Sequence, residues 1–206
     1  MEIRIHTCGG SVETFCQEDP VLADRILKEI RPATVFAADV ITIAGDYSLT
    51  TFAASRVNRV DLIAKDFALW KHPADILDVV ELTEDEFRER SHLDDPVRLE
   101  RRQSPKQPGE FALVFGEVEM ADGSRIFLAA KIMVALPVER LQRLRTLFSA
   151  PAVHFRLRQG GATILNLKNL VRVTFNPGPD RAPIGAWPAH HLSQRQRPAR
   201  VAYTGD

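Results

Sequence analysis

The chain has few of the features that mark a secreted or membrane protein. Its 206 residues include only two cysteines, Cys8 and Cys16, which is too few for the disulfide framework of a small secreted domain. The longest apolar stretch, residues 126–138, is interrupted by Lys131 and is shorter than the roughly 20 residues that a membrane-spanning helix needs. The first residues contain no apolar run of the kind found in secretion signals. We therefore expect a cytoplasmic protein without a membrane partner.

The sequence also lacks the short motifs of nucleotide-binding proteins and hydrolases. It has no Gly-x-x-x-x-Gly-Lys loop and no Gly-x-Gly-x-x-Gly turn, the two glycine-rich patterns that cradle phosphates. Gly9-Gly10-Ser11 is not a nucleophile elbow, because that turn requires Gly-x-Ser-x-Gly between a strand and a helix. No residue pattern requires catalysis, so we favour a non-catalytic role and expect no cofactor.

What the sequence does contain is a similar order of elements in two places. One helix is predicted to begin at Pro20 and another at Pro137, since proline is favoured at the first helical position. Each helix follows a predicted hairpin and precedes two extended segments, and an alignment of Val60 with Val173 also matches the arginine before each valine. We interpret the pattern as a tandem duplication of a small ββαββ unit. The predicted fold class is α+β, with a mainly antiparallel sheet, a charged helical linker and a proline-rich C-terminal tail.

The composition suggests boundaries for these units. We predict an acidic ββαββ unit over residues 1–64, a partly helical charged linker over 65–110, a basic ββαββ unit over 111–175 and a mobile tail over 176–206. Thr83-Glu84-Asp85-Glu86 matches a capping box, in which Thr83 and Glu86 each satisfy the backbone N–H of the other, so a short helix should follow. The tail has five prolines and no hydrophobic periodicity, a composition that does not pack into a core.

The net charge is zero, but the charges are unevenly distributed. Residues 1–100 carry 20 acidic and 11 basic side chains, whereas residues 125–175 carry nine basic side chains and one acidic side chain. Such asymmetry bears on partners and self-association rather than on the fold. We therefore predict an interaction or scaffold protein whose acidic and basic repeats associate in a homodimer or with a protein partner.

The second unit is predicted to present a basic sheet face. Alternation along residues 153–158 and a three-residue loop at 160–162 set Leu157 opposite Leu165 and collect basic side chains on the other face. The candidate residues for binding nucleic acid or an acidic partner are Arg140, Arg143, His154, Arg156, Arg158, Lys168 and Arg172. Because such side chains neutralise phosphates, a nucleic-acid-binding regulator is the alternative function. The face has no aromatic residue on which single strands could stack, which disfavours single-stranded partners.

The segment that carries this face resembles part of a DNA-binding domain. From Leu136 to Phe175, a predicted helix is followed by Phe155 and by the run Ile-Leu-Asn-Leu-Lys-Asn-Leu-Val-Arg-Val. This order resembles the helix-then-strand core of LytTR-type DNA-binding domains, although a proline-rich tail replaces the next strand pair of that family. The paired strands of the first unit are similar to small β-rich PH-like modules. Neither resemblance assigns a role to a residue of this chain.

A first small cluster is the metal candidate. If Gly9-Gly10 forms a two-residue hairpin turn, His6, Cys8 and Glu13 share one face of the hairpin. Zinc accepts these three ligand types, but their spacing matches no standard zinc motif. A surface pair of His6 and Glu13 beside a thiol is the favoured alternative. In the same register Cys16 lies opposite Ile3, too far from Cys8 for a disulfide.

A second small cluster contains His72, Asp75 and Asp78. Their three-residue spacing would place them on one face of a helix over residues 73–80. A histidine beside carboxylates can transfer protons, but the same pattern occurs on any solvated helix face. We favour the solvated face.

Overall fold

The computed structural model describes residues 1–64, 70–73, 75–93, 95, 97–98, 107–134, 146–178, 185–187 and 189. The strands are β1 (Glu2–Thr7), β2 (Val12–Cys16), β3 (Val40–Ala44), β4 (Leu49–Ala53), β5 (Val57–Ile63), β6 (Ile76–Leu82), β7 (Phe111–Met120), β8 (Arg125–Met133), β9 (Ala152–Arg156), β10 (Ala162–Asn166) and β11 (Leu170–Asn176). The helices are α1 (Pro20–Glu29) and α2 (Glu84–Ser91), and 3-10 turns cover Ala54–Arg56 and Leu167–Asn169. None of the described helices is both long and apolar enough to cross a membrane.

Most of the described strands belong to one large sheet. Nine strands pair in the order β11-β7-β8-β6-β9-β10-β5-β1-β2, and β3 and β4 form a separate hairpin. Neighbouring strands of the large sheet are antiparallel except β6 and β9, which are parallel where Val80 meets Arg156. The sheet therefore combines strands from both ends of the chain.

The predicted fold class is wrong. The described residues are mainly β, and a mixed nine-stranded sheet replaces the two separate ββαββ units. The segment predicted as a helical linker contributes β6, which lies between β8 and β9. The charged composition around residues 76–82 disguised this strand, because its partners β8 and β9 lie more than 40 residues further along the chain. An isolated sequence window contains no record of those neighbours.

The two halves nevertheless share one local pairing pattern. β1 pairs with β2 and β5, and β7 pairs in the same antiparallel manner with β8 and β11. A 3-10 turn precedes the last strand in each case. The remaining strands differ, because β3 and β4 pair only with each other whereas β10 pairs with β5 of the first half. This cross-pairing joins the two halves in one continuous sheet.

The two helix starts that the structure describes agree with the sequence signals. α1 begins at Pro20, and the Asp19 carboxylate accepts hydrogen bonds from the amides of Val21 at 2.7 Å and Leu22 at 3.3 Å. At α2 the Glu86 amide donates to Thr83 Oγ1 at 3.2 Å, and the Thr83 amide donates to a Glu86 carboxylate oxygen at 3.0 Å. The predicted capping box is confirmed.

The predicted register of the first hairpin is wrong by one residue. His6 lies opposite Val12, and Gly10 takes a positive φ of 79°, so the loop has three residues rather than two. Phe15 consequently lies opposite Ile3, and its ring packs edge-on against Phe52 with centroids 6.1 Å apart. Burial of an aromatic ring decides the register, since a one-residue slip would turn it to the other face.

Side chains pack on both faces of the large sheet. We call the inner face the one that carries a core of Val118, Met120, Ile126, Phe155 and Leu165. The outer face carries two cores. One lies under α1 and the β3–β4 hairpin and contains Ile3, Ile5, Phe36, Phe52, Val57, Val60, Leu62 and Ile164. The other lies under α2 and contains Leu82, Phe87, Phe115, Phe127 and Ala129.

Candidate binding cleft and buried charge network

A buried charge network lies on the inner face beside the core. Asp61 on β5, whose side chain is 1% exposed, accepts hydrogen bonds from His6 Nε2 at 2.9 Å, Arg59 Nε at 2.6 Å and Thr163 Oγ1 at 2.6 Å. Arg59 lies two residues before Asp61 on β5 and therefore on the same face of the sheet, and His6 lies opposite Arg59 on β1. On the other side of β5, Thr163 of β10 lies directly opposite Asp61. Three donors from three strands thus converge on one carboxylate.

Arg59 extends the network to the middle of the sheet. Its Nη1 donates to Glu81 on β6 at 2.8 Å, and its guanidinium lies 5.9 Å from the centre of the Phe155 ring. Only 15% of the Arg59 side chain is exposed. Two carboxylates and an aromatic ring therefore hold one nearly buried cation in place, as a desolvated charge requires.

The pKa shifts within the network follow from these contacts. Burial alone would raise the pKa of Asp61, but the hydrogen bonds from His6, Arg59 and Thr163 and the charge of Arg59 outweigh it and lower the pKa. Burial likewise tends to lower the pKa of Arg59, and the charges and hydrogen bonds of Asp61 and Glu81 reverse this and raise it. Both groups are therefore charged at neutral pH.

A cleft of about 290 Å³ opens beside this network. It lies between the β1–β2 hairpin, the start of β5 and the β7–β8 turn. The cleft is lined by His6, Gly10, Val12, Asn58, Arg59, Met120, Asp122, Ser124, Arg125 and Ile126. Three of these residues are apolar, and the others supply a glycine, an amide, a hydroxyl, an imidazole and three charges. The cleft is therefore more polar than most small-molecule sites.

The mouth of the cleft contains a small polar cluster around Asn58. The Cys8 thiol donates to Asn58 Oδ1 at 3.0 Å, and Asp122 Oδ1 accepts hydrogen bonds from the Ser124 amide at 2.9 Å and the Ser124 hydroxyl at 2.6 Å. Burial raises the pKa of the Cys8 thiol, and the nearby Asp122 charge adds to this effect. A nucleophilic cysteine needs the opposite shift, so the environment of Cys8 does not activate it.

The structure does not bring the three metal-candidate residues together. Glu13 on β2 lies opposite Ile5 of β1. The His6 ring is hydrogen-bonded to Asp61, and the Cys8 thiol is hydrogen-bonded to Asn58. Among the residues that the structure describes, no group of three or more His, Cys, Asp or Glu side chains could hold a metal ion. Cys8 and Cys16 are both free thiols.

The predicted basic face is largely covered or neutralised. Arg156 is paired with Asp78, Arg158 with Glu86 at 3.3 Å, and Arg172 with Glu117 at 3.3 Å and Glu119 at 2.9 Å. Lys168 is exposed on the second 3-10 turn, and no carboxylate within the described ranges pairs with it. Arg140 and Arg143 lie outside the described residues. The acidic excess before residue 120 thus compensates the arginines of the second half within one chain.

The structure pairs β9 with β10 as predicted, but in a different register. Thr163 lies opposite Phe155, a shift of four residues that keeps the predicted faces but changes every pair. The register with Leu157 opposite Leu165 would place Ile164 and Asn166 on the same face as Arg156 and Arg158, but both residues are fully buried. Ile164 belongs to the outer-face core, because β10 lies in the interior of the sheet and is packed on both faces.

His154 lies in a ring cluster instead of on an open basic face. Its ring stacks on His72 with centroids 4.4 Å apart and meets the edge of Trp70 at 5.5 Å, and its Nε2 donates to the Trp70 carbonyl at 3.1 Å. Asp78 is on strand β6 and pairs with Arg156, so the predicted helix face of His72, Asp75 and Asp78 does not form.

Acid is expected to weaken this histidine cluster. Burial and the charge of His154 lower the pKa of His72 and outweigh the opposing charge of Asp78. Burial also lowers the pKa of His154 and outweighs the opposing hydrogen bond to the Trp70 carbonyl. Because the folded pKa values lie below the unfolded value of about 6.5, this stabilisation is present above about pH 6.5 and is lost as the pH falls.

The measurement is the free energy of unfolding in urea at about pH 8 and about pH 5, on either side of the histidine pKa. His72→Phe keeps a stacking ring but removes one titrating group, so its loss of stability between the two pH values should be smaller than that of the wild type. An equal loss in both proteins would contradict the assignment.

Comparison of the chain with protein-family models, with curated proteins and with solved structures found no match.

Of the residues in this network and cleft, the sequence pointed only to His6 and Cys8, and it did so for a metal site. Arg59 is visible in the sequence only as the arginine that aligns with Arg172, and no motif marks Asn58, Asp61, Glu81, Asp122 or Thr163. One signal was available, since Arg59 and Asp61 alternate with Val60 and Leu62 on a strand whose other face is apolar. That alternation resembles an ordinary solvated face, and only the position of β5 inside the sheet shows it to be buried.

Proposed function

We propose that the protein is a non-catalytic interaction protein that associates with a second copy of itself through the edge of β2. The observation that supports this is the position of β2, which ends the large sheet and, among the described strands, pairs only with β1. An unpaired strand edge presents backbone donors and acceptors that another strand can use. The inactive environment of Cys8 and the paired arginines favour this role over catalysis or phosphate binding.

The direction of the free backbone groups of β2 follows from its pairing with β1. The Thr7 amide donates to the Ser11 carbonyl, and the Gln17 amide donates to the Met1 carbonyl. Bonded and non-bonded pairs alternate along an antiparallel ladder. Between Ser11 and Gln17, the residues of β2 that form no backbone hydrogen bonds with β1 are therefore Val12, Thr14 and Cys16. Their N–H and C=O groups point away from β1, toward the open edge.

This edge is complementary to itself. If two copies of β2 meet in an antiparallel manner around Thr14, each of the three outward N–H groups of one copy faces an outward C=O of the other. Val12 then lies opposite Cys16 of the second copy, and Glu13 lies opposite Phe15, so no like charges meet. Such a two-fold interface is closed and yields a dimer rather than a fibre.

Thr14→Pro is expected to convert the dimer to a monomer. Proline removes the outward N–H at the two-fold axis, whereas the pairing of Thr14 with Arg4 involves no hydrogen bond from that group. The mass in solution, measured by light scattering over a range of concentrations, should fall to that of one chain. Thr14→Val keeps the N–H and should remain dimeric. A wild-type protein that is monomeric at every concentration contradicts the proposal.

A cysteine cross-link distinguishes β2 from the other sheet edge. In a Cys8→Ser, Cys16→Ser background, Thr14→Cys should form a disulfide dimer on oxidation, because the Cα atoms of a bonded antiparallel pair lie about 5.5 Å apart. Thr174→Cys, exposed on the β11 edge, is the control and should stay monomeric. Cross-linking through Thr174→Cys alone would assign the interface to β11 instead.

Nucleic-acid binding by the second half stays a prediction. Three of its arginines already have carboxylate partners, so fewer cations are free to release counterions from a phosphate backbone.

A further inference from the structure

Asn58 is a buried polar side chain whose hydrogen-bonding capacity is only half used. The residue is 1% exposed, and it lines the cleft between the β1–β2 hairpin and the β7–β8 turn. Its Oδ1 accepts from the Cys8 thiol, but its Nδ2 has no hydrogen-bond partner among the described residues. A buried N–H₂ group without an acceptor is costly, so a molecule that brings an acceptor to Nδ2 gains free energy on binding.

The neighbouring charge restricts what that molecule can be. Burial tends to raise the pKa of Asp122, but the hydrogen bonds that the carboxylate accepts from Ser124 outweigh burial, and the Asn58 amide close by adds to their effect. The pKa is therefore lowered, and Asp122 is an anion. The Asn58 amide influences this carboxylate, although no acceptor lies within hydrogen-bond geometry of Nδ2. An anionic ligand would be repelled by Asp122, and a simple cation would leave the Asn58 amide without an acceptor.

The two arginines of the cleft do not reverse this preference. Arg59 is bound by Asp61 and Glu81, and Arg125 lies 2.7 Å from Glu117 and 3.6 Å from Glu84. Each cation is therefore matched by two carboxylates, and the surroundings of the cleft carry no net positive charge. A neutral ligand is the one that these walls favour.

The rest of the wall suits a compact apolar body. Val12, Met120 and Ile126 line the cleft beside the polar cluster. The volume of about 290 Å³ lies near the lower limit for small-molecule sites, so the ligand is the size of a single ring rather than of a nucleotide.

We propose that this cleft binds a small neutral molecule that carries an amide or lactam edge on an apolar ring. Its carbonyl oxygen accepts a hydrogen bond from Asn58 Nδ2, and its adjacent N–H donates to the Asp122 carboxylate. The ring packs against Val12, Met120 and Ile126. The site lies within one copy of the chain and shares only Val12 with the β2 edge, so uracil binding can be measured whether or not two copies associate.

Uracil is a suitable probe, because it is neutral and planar and carries a carbonyl beside an N–H. Titration of the full-length protein, followed by backbone amide shifts in NMR spectra, should show saturable changes in residues 6–12, 58–59 and 120–126. 1,3-Dimethyluracil has the same ring and carbonyl groups but no N–H, and it should bind at least about tenfold more weakly, as expected when one buried hydrogen bond is lost. Acetate and methylammonium should cause no changes in the cleft.

Asn58→Leu tests the donor directly, since leucine has a similar size and no N–H. Its affinity for uracil should fall about tenfold, while Thr51→Val, an exposed substitution on β4, should bind like the wild type. Equal binding of uracil and dimethyluracil by the wild-type protein would overturn the proposal without any variant. It would also be overturned by an Asn58→Leu protein that binds uracil normally, by tighter binding of acetate, or by shifts confined to other surfaces.

Discussion

Replacement of Asp61 by alanine is expected to lower the free energy of unfolding by about 3–5 kcal/mol, the cost of removing one partner from a buried ion pair. The side chain is 1% exposed and accepts hydrogen bonds from His6, Arg59 and Thr163. Its loss leaves the Arg59 cation, which is 15% exposed, with Glu81 as the one carboxylate partner that remains among the described residues. The Thr163 hydroxyl, buried on β10, also loses its acceptor.

The measurement is equilibrium unfolding in urea at neutral pH. Arg125→Ala provides the matched control, because that arginine is also paired with two carboxylates but is 44% exposed, and exposed pairs contribute about 1 kcal/mol or less. A similar cost for the two variants would show that the Asp61 network does not stabilise the fold.

The same network predicts a pH dependence. Since the folded pKa of Asp61 lies below its ordinary value, its contribution is complete above about pH 4 and is lost as the pH falls through the lowered pKa. The difference in stability between the wild type and Asp61→Ala should therefore narrow in acid.

Replacement of Gly161 by alanine is expected to lower the free energy of unfolding by more than about 4 kcal/mol, a loss seen only with severe steric or burial defects. Gly161 has a φ of 91°, and an added Cβ would overlap the carbonyl oxygen of Leu62 and lie 2.9 Å from the Cα of Ile63. The backbone has little room to move, because the next residue, Ala162, is paired with Leu62 in the β10–β5 ladder. Relief of the overlap requires that this ladder open.

Gly160→Ala is a control in the same turn. Gly160 has a φ of 97°, but an added Cβ would lie 3.9 Å from the nearest atom, the carbonyl oxygen of Ala64. It therefore suffers only the strain of a left-handed backbone, about 1–2 kcal/mol. Urea unfolding of the two variants should separate these effects, and equal costs would mean that β5 and β10 are not held as closely as described.

Both predictions concern the junction of β5 and β10, which joins the two halves of the chain. Asp61 bonds to Thr163 across this junction, and Gly161 lets the turn before β10 approach β5 closely. A defect at either position should loosen the whole sheet rather than one half. The duplication hypothesis placed these strands in separate units and would have predicted two local effects.

Some features were predictable because their causes are local. Pro20 with the preceding Asp19, and the Thr83–Glu86 capping box, mark helix starts through hydrogen bonds within a few residues of chain. Alternation of apolar residues likewise indicated strands along 57–63 and 152–156. These signals do not depend on what lies beside the element in space.

The candidate site was not predictable, because its residues meet through distant pairings. Asp61 and Thr163 are 102 residues apart in sequence, and Asp61 read alone resembles any charged residue on a solvated strand. The arginines of the second half illustrate the same limit. Their charge was counted correctly, but their carboxylate partners, among them Asp78 and Glu86, became visible only in the folded sheet.

By itself, the sequence determined where helices begin, which stretches are extended and how charge is divided along the chain, since each depends on neighbouring residues or on simple counting. Tertiary structure alone decided which strands lie side by side, and therefore which polar residues are buried. The periodicity of a strand specifies that one of its faces must be buried. Its backbone hydrogen bonds can join it to any other strand, so the neighbour is decided by side-chain packing between segments that are distant in sequence.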